Sequence, residues 1–320
     1  MRNNLIVDVH CHSEQLLYPN TTPEDVGDLM RKSGLAITVQ NIVPDGCLLH
    51  FENGKVVMEE PKNEHQIVDY TDKAFENLKW TINESDLQFI KSSSDILQIS
   101  IVGKRGIIVG IEGADHLQKD LRQLAFDYQY RHLRQLGLVH YYPSELADNQ
   151  TEPEKYGGLS TFGLSAVKLC NNLGIIIDLA HLSEKSMNDV LKETSAPVVC
   201  SHTSIREAGD DDARKLPSEI ALKIANQGGL IGIWPNSILF PSIMDYAIGL
   251  KKAADLVGVN NIAIGTDRCG LQSNLFSDYT AFSELQNTLM HCGFTEKETD
   301  GILGLNYFRV FSEVENLKLQ

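Results

Sequence analysis

A chain of 320 residues with 42% hydrophobic residues carries enough apolar material for a sizeable core, and α/β barrels of this length occur as one domain. Its formal charge of −15 argues against a general nucleic-acid binder, because phosphate affinity comes from clustered Lys and Arg. No apolar run reaches membrane-spanning length, no secretory pattern follows Met1-Arg2-Asn3-Asn4, and Cys11, Cys47, Cys170, Cys200, Cys269 and Cys292 form no CxxC pair. Reduced thiols in the cytoplasm are the resulting expectation.

Eight short apolar runs follow one another, separated by stretches of helical character. Leu5–Val9 leads into His10-Cys11-His12, and a helix is predicted over Pro23–Arg31 behind a Thr cap. The second run is Leu35–Ile42. Residues 45–63 read as an inserted loop or hairpin, since Glu52-Asn53-Gly54-Lys55 carries an Asn-Gly turn signal, and 64–92 is long enough for one extended helix or two. Gly106–Ile111 and Leu136–His140 are the third and fourth runs. A helix over Thr161–Asn172 ends in Asn-Leu-Gly before the fifth, Gly174–Leu179. Ser183 is the expected N-cap of a helix over Ser183–Lys192, and Pro197–Cys200 follows it. Pro217–Asn226 opens with proline in its first turn and stops at Gly228-Gly229. Gly229–Ile233 and Asn261–Gly265 complete the set.

Most of these runs are near-continuously hydrophobic, as parallel strands covered on both faces require. Strand–helix alternation repeated eight times predicts a (β/α)8 TIM barrel, a single catalytic domain over 1–320. A doubly wound open sheet is the competing architecture, but it calls for a Gly-rich phosphate loop after the first strand, where this chain has histidines.

Barrel chemistry sits at the C-terminal ends of the strands. There the chain places His10 and His12, Glu112, His140, His181, His202 and Asp267, with no obvious candidate on strands two and seven. His10 and His12 are two apart, share a strand face and can grip one metal. His181 and His202 can hold a second, with Glu112 bridging ions roughly 3.5–4 Å apart. Taken singly, each residue reads as a satisfied buried histidine or a loop-capping carboxylate; the joint arrangement points to two divalent metal ions. Zinc suits an imidazole-rich set best, with manganese and cobalt as alternatives.

These residues sit in blocks that resemble the membrane (renal-type) dipeptidase family, zinc peptidases on an amidohydrolase-like, metallo-dependent hydrolase barrel. The blocks are Gly158-Leu159-Ser160-Thr161-Phe162-Gly163 through Asp178-Leu179-Ala180-His181, then Ala196-Pro197-Val198-Val199-Cys200-Ser201-His202-Thr203-Ser204, and Arg214-Lys215-Leu216-Pro217. Glu112-Gly113, the spacing from His140 to Ala147-Asp148-Asn149, and Gly304-Leu305-Asn306-Tyr307-Phe308-Arg309-Val310 complete them. The likeness covers nearly the whole chain in the family's order. It implies that His10 binds one metal, Glu112 bridges, and His181 and His202 bind the other. It further implies that His140 polarises the scissile carbonyl, Arg214 pairs with the substrate's free carboxylate, and Asp267 moves a proton from the attacking water to the leaving amine. Family members are often dimers, so the resemblance also allows a homodimer.

Two departures stand out. The family usually has His-x-Asp on strand one, where this chain has His10-Cys11-His12, and coordination by His12 is the expectation. The family's Asp-Phe-Asp-Gly after strand eight is Asp267-Arg268-Cys269-Gly270 here, which suggests a cation near the pocket rim. The function implied is a metallo-dipeptidase acting on small, dipeptide-like substrates with a free carboxylate, through a hydroxide bridging two metals. The alternative is an amidohydrolase acting on a cyclic amide, lactam or modified natural product. A binding protein on the same barrel would lack some of the ligands, and none is clearly missing.

Overall fold

The computed structural model describes residues 5–13, 25–52 and 55–318. The Thr cap and Pro23 of the first expected helix, the Asn53-Gly54 turn and Met1–Asn4 lie outside the described residues. Eight parallel strands form a nearly closed barrel: β1 (Val7–Cys11), β2 (Ile37–Ile42), β6 (Gly106–Glu112), β7 (Leu133–Gly137), β8 (Ile176–Asp178), β9 (Val199–Thr203), β10 (Leu230–Ile233) and β11 (Ile262–Ile264). They neighbour one another in that order, with helices between them. A short antiparallel hairpin, β3 (Leu49–Glu52) and β4 (Lys55–Met58), follows a 3-10 turn over Pro44–Leu48. The two-residue β5 (Gln88–Phe89) flanks the start of β6, and β7 takes over from Val109 onwards.

The barrel forms because each strand buries both faces. Ile107, Val109 and Ile111 pack outward in a cluster with helix residues such as Ala166 and Val190, while Ile108 joins an inner cluster with Val7, Val9, Val39 and Val199. That division explains the near-continuous hydrophobic runs. The helix Asn306–Leu317 closes the floor, with Tyr307 and Phe311 in the inner cluster and Gly304 against the backbone of Leu5. The helices start where the chain supplies caps. The hydroxyl of Ser183 accepts from the Ser186 N–H ahead of Glu184–Glu193, and Ser160 accepts from Gly163 ahead of Thr161–Leu173. Among the described residues, no helix is long and apolar enough to cross a membrane.

One expected strand is displaced. The ladder runs over Leu133–Gly137 rather than Leu136–His140, so His140 lies three residues beyond the strand end. Arg134 and Gln135 disguise this strand as polar. The Arg134 guanidinium stacks over Tyr128 and donates to the Lys91 carbonyl, while Gln135 is buried inside the barrel.

Two irregularities aim side chains at the barrel mouth. On β1, Val7 and Val9 face the interior but Cys11 faces the helices, so the alternation breaks between them, where the register with β2 also shifts. The extra residue turns both His10 and His12 inward. On β9, Cys200 pairs with Ile231 but Thr203 with Ile233, so Ser201 and His202 share an inward bulge. A bulge is the standard means of re-aiming a strand side chain. Only glycine fits around the second one: a Cβ on Gly232 or on Gly265 would lie 1.8 Å from the Ser201 carbonyl oxygen.

Candidate active site

Five histidines, from the ends of β1, β7, β8 and β9, converge around one carboxylate. Glu112 follows Ile108 and Gly110 along the inward face of β6, and Gly113 after it turns with φ +83° directly beneath His140. The two carboxylate oxygens divide the imidazoles between them. Oε1 lies 2.7 Å from His181 Nε2 and 3.3 Å from His202 Nε2, while Oε2 lies 3.3 Å from His12 Nε2 and 3.6 Å from His10 Nε2. Within each pair the nitrogens face each other, at 3.2 Å for His10 and His12 and 3.1 Å for His181 and His202. His181 reaches this place from a left-handed backbone, φ +66°, and Asp267 from φ +48°, local strain of the kind that collects at functional sites.

The donor set fits two cations. Among the described residues, three groups have ligand atoms within 4.8 Å of one another: His10, His12 and Glu112; Glu112, His181 and His202; and His10, His202 and Asp267. These overlapping triads form a buried His/Glu/Asp metal-binding cluster consistent with a binuclear site. His12, the residue that departs from the family pattern, is well set for it. Its Nδ1 lies 2.9 Å from the Asn41 carbonyl, which only accepts, so Nδ1 carries a proton and Nε2, beside Glu112 and Asp267, is the nitrogen left for a metal. His10 and His202 share the Ser201 hydroxyl through their Nδ1 atoms at 2.9 and 3.0 Å.

His181 differs. Its Nδ1 faces the Arg214 guanidinium at 2.8 Å, a group that only donates, so its proton lies on Nε2 and points to Glu112. A metal on Nε2 needs the opposite tautomer. Bound metal would therefore end this contact and leave the Arg214 guanidinium available to the cavity it lines.

Electrostatics mark the cluster as short of positive charge. Burial would push the Glu112 carboxyl up, yet the imidazoles of His140, His10 and His181 outweigh it and hold the group well below the usual range. Burial lowers His10, but Glu112 and Asp178 overcome this and raise it to about 10; His12, opposed by the same burial and supported by Asp267 and Glu112, rises to about 9. His181 and His202 are held well below their ordinary value, by burial and by Arg214 and His10 respectively, which leaves both as neutral ligands.

Above the cluster opens a cavity of about 500 Å³. Glu112, His12, His140, His181 and Asp267 form its polar end; Val43, Leu49, Val56, Ile238 and Leu271 form an apolar wall, part of it from the β3–β4 hairpin. Arg214 lines the cavity with its guanidinium 5.3 Å over the Trp234 ring. His140 points its Nε2 toward Glu112 at 3.8 Å, and its Nδ1 lies 2.8 Å from Asp45 Oδ1. The spacing from His140 to Asn149 has a cause: the Asn149 amide donates to the carbonyls of His140 and Tyr141 and ties their loop down.

All eight sequence-predicted residues thus border one site, but other expectations need correction. Strand two does contribute, through Asn41 against His10 and His12, and strand seven leads into Trp234 beneath Arg214. Arg268 is no rim cation: it is buried, donates to the Ser277 carbonyl at 2.6 Å and stacks over Tyr279. Cys269, by contrast, does line the cavity. Asp45 was missed because no motif surrounds it. Asp178 carried a signal, a carboxylate inside the run Ile175-Ile176-Ile177.

Known proteins are similar to this chain in sequence and in fold. The model of the membrane dipeptidase family (peptidase family M19) matches residues 53–320. Dipeptidase verJ of Clonostachys rogersoniana is 25% identical over 78% of this chain and 69% of its own length. Dipeptidase tcpJ of Claviceps purpurea (strain 20.1) is 25% identical over 82% of this chain and 66% of its own, so the chain spans about two thirds of these relatives. A Rhodobacter sphaeroides metallo peptidase, solved with a phosphinate mimic of the dipeptide L-Ala-D-Ala, has the same fold at TM-score 0.83 and 19% identity, covering 97% of this chain and 99% of that one.

Proposed function

The chain belongs to the membrane dipeptidase family, peptidase family M19, and from that premise we propose that it hydrolyses the amide bond of dipeptides or dipeptide-like molecules bearing a free carboxylate. The observation that carries this reading is the division of the Glu112 oxygens between two histidine pairs at the floor of a cavity whose wall holds Arg214. His10 and His12 would hold one divalent ion, His181 and His202 the other, and zinc suits this imidazole-rich set. Bound there, the ions supply Lewis acidity to the scissile carbonyl and lower the pKa of the attacking water.

The chain's own residues supply the rest. Arg214, freed from His181, clamps the substrate carboxylate with its planar fork while Trp234 supports its face. His140, anchored by Asp45, directs Nε2 toward the reacting carbonyl and stabilises charge developing on its oxygen. Asp267, with Oδ1 3.4 Å from His12 Nε2, accepts the proton of the attacking water and passes it to the departing nitrogen. A bound mimic of an L,D dipeptide in the Rhodobacter sphaeroides protein supports including that stereochemistry among the substrates.

A second reading, a non-standard amide, is favoured by the apolar hairpin wall, which leaves room for a bulkier substrate. Amine release from a panel of L,L- and L,D-dipeptides by zinc-loaded protein, with Glu112→Gln as background, separates the two. Turnover well above that background is expected. No turnover with two zinc ions bound per chain would sink the dipeptidase reading and favour the second.

A further inference from the structure

Beneath the metal cluster lies a buried carboxylate that the proposed reaction does not use. Asp178 ends β8, is 2% exposed, and its Oδ1 accepts two backbone N–H groups, from Ala180 at 3.1 Å and Ser201 at 2.9 Å. These are the residues immediately before His181 and His202. Its Oδ2 accepts from Gln135 Nε2 at 3.2 Å, and the same nitrogen lies 3.3 Å from the carbonyl of Val9, immediately before His10. The Tyr307 hydroxyl, rising from the helix that closes the barrel floor, donates to Gln135 Oε1 at 2.8 Å.

We propose that Asp178 is a positioning residue for the metal centre, fixing the separation of His181 and His202 through the backbone that carries them, and that Gln135 and Tyr307 hold it in place. The inference rests on the metal-hydrolase reading above. A lone carboxylate is expensive to bury, and its only cationic neighbour among the described residues is the His10 ring, at 3.9 Å. It is compensated instead by charge-assisted bonds to N–H groups that no strand ladder satisfies, one on the loop leading to the left-handed His181 and one in the β9 bulge. Ala180 and Ser201 lie on different elements, so one oxygen atom sets the distance between two ligand loops. Asparagine cannot do the same. With its oxygen kept on the two N–H groups, its amide faces Gln135 Nε2, and a flipped Gln135 would set its oxygen against the Val9 carbonyl.

The test is zinc binding by the full chain, titrated against a competing chelator, for wild type, Asp178→Asn and Tyr307→Phe, with folding followed by circular dichroism. Wild type is expected to bind two zinc ions. Asp178→Asn should weaken one of them at least about tenfold and leave the other within about twofold, the scale usual for outer partners of metal ligands. Tyr307→Phe should weaken the same ion about threefold. In a His202→Ala background the Asp178→Asn effect should vanish, which a purely structural role would not produce. If Asp178→Asn fails to fold, Tyr307→Phe decides. Unchanged zinc affinities in variants of a wild type that binds two ions would overturn the inference alone. A wild type that cannot bind two ions would overturn the metal-hydrolase reading itself, and this inference with it.

Discussion

Asp45 and His140, 95 residues apart in the chain, meet at 2.8 Å between a carboxylate oxygen and Nδ1. The other oxygen of Asp45 accepts the N–H groups of Tyr141 and Tyr142 at 3.1 and 2.9 Å, so one buried side chain orients both the imidazole and its loop. Asp45→Asn keeps the shape but withdraws the charge that supports a positive His140. Loss of an oxyanion donor costs roughly 10²–10³ in kcat, and a misdirected donor should cost about 10–10². Steady-state kinetics should show the fall in kcat with KM within about threefold and zinc content unchanged. A parallel loss of zinc would assign Asp45 to the metal centre instead.

Arg214 is expected to govern substrate binding rather than turnover. A hydrogen bond to a charged group contributes about 1.5–3 kcal/mol, so Arg214→Ala should raise KM roughly 10–100-fold. Arg214→Lys should recover only part of this, because ammonium lacks the bidentate fork. The sharper check is a dipeptide whose C-terminus is amidated. Wild type should discriminate against it, and Arg214→Ala should treat both substrates alike. A variant that still prefers the free acid would remove Arg214 from the carboxylate.

His12 offers a stoichiometric test. With Nδ1 committed to the Asn41 carbonyl, its Nε2 faces the Glu112 oxygen that His10 also faces. His12→Ala should drop bound zinc from two ions to one per chain, measured by atomic emission after dialysis. His12→Asp, which restores the residue the family usually carries, should retain two. Two ions in the alanine variant would show that His12 is not a ligand.

Gly265 and Ser201 supply a prediction about stability. A methyl group at Gly265 would sit 1.8 Å from the Ser201 carbonyl oxygen, a backbone atom that cannot rotate aside. Gly265→Ala should cost about 1–3 kcal/mol or more, as overpacked cores do, read from urea unfolding. Because Ser201 shares the bulge with His202, the same variant should also bind its second zinc ion more weakly. Unchanged stability would mean that β9 can flatten without penalty.

Much of this was legible from apolar runs alone, because a parallel barrel demands strands hydrophobic on both faces and this chain supplies them. The ligands were legible because they cluster at the ends of those runs. What escaped was set by tertiary context. Gln135 is polar yet lies inside the barrel, where Asp178 and Tyr307 satisfy it, so β7 was placed three residues late. The bulges at His10 and His202 carry no residue signature; strict alternation with Val9 and Val199 would have turned those histidines toward the helices. Arg268 looked like a cation at the pocket rim because sequence does not reveal that the Ser277 carbonyl and the Tyr279 ring wait beneath it. The helix over Ser93–Val102 was missed as well, although the Ser92 and Asp95 capping box that opens it is a pattern a sequence can show.

The barrel's seam has a consequence for how the protein is made. The first and last strands, β1 and β11, share no continuous ladder; they meet at the mouth, where the Asp267 N–H reaches the His10 carbonyl and the His12 N–H reaches the Arg268 carbonyl, each at 2.9 Å. The backbone that shuts the cylinder is the backbone of the proposed ligands. A nascent chain leaving the ribosome holds His10, His12, Glu112, His181 and His202 long before it holds Asp267, yet the edge of β1 stays open until residue 268 emerges. A polypeptide that stops short of Arg268 would therefore carry all five proposed ligands while the cylinder that holds them stays open.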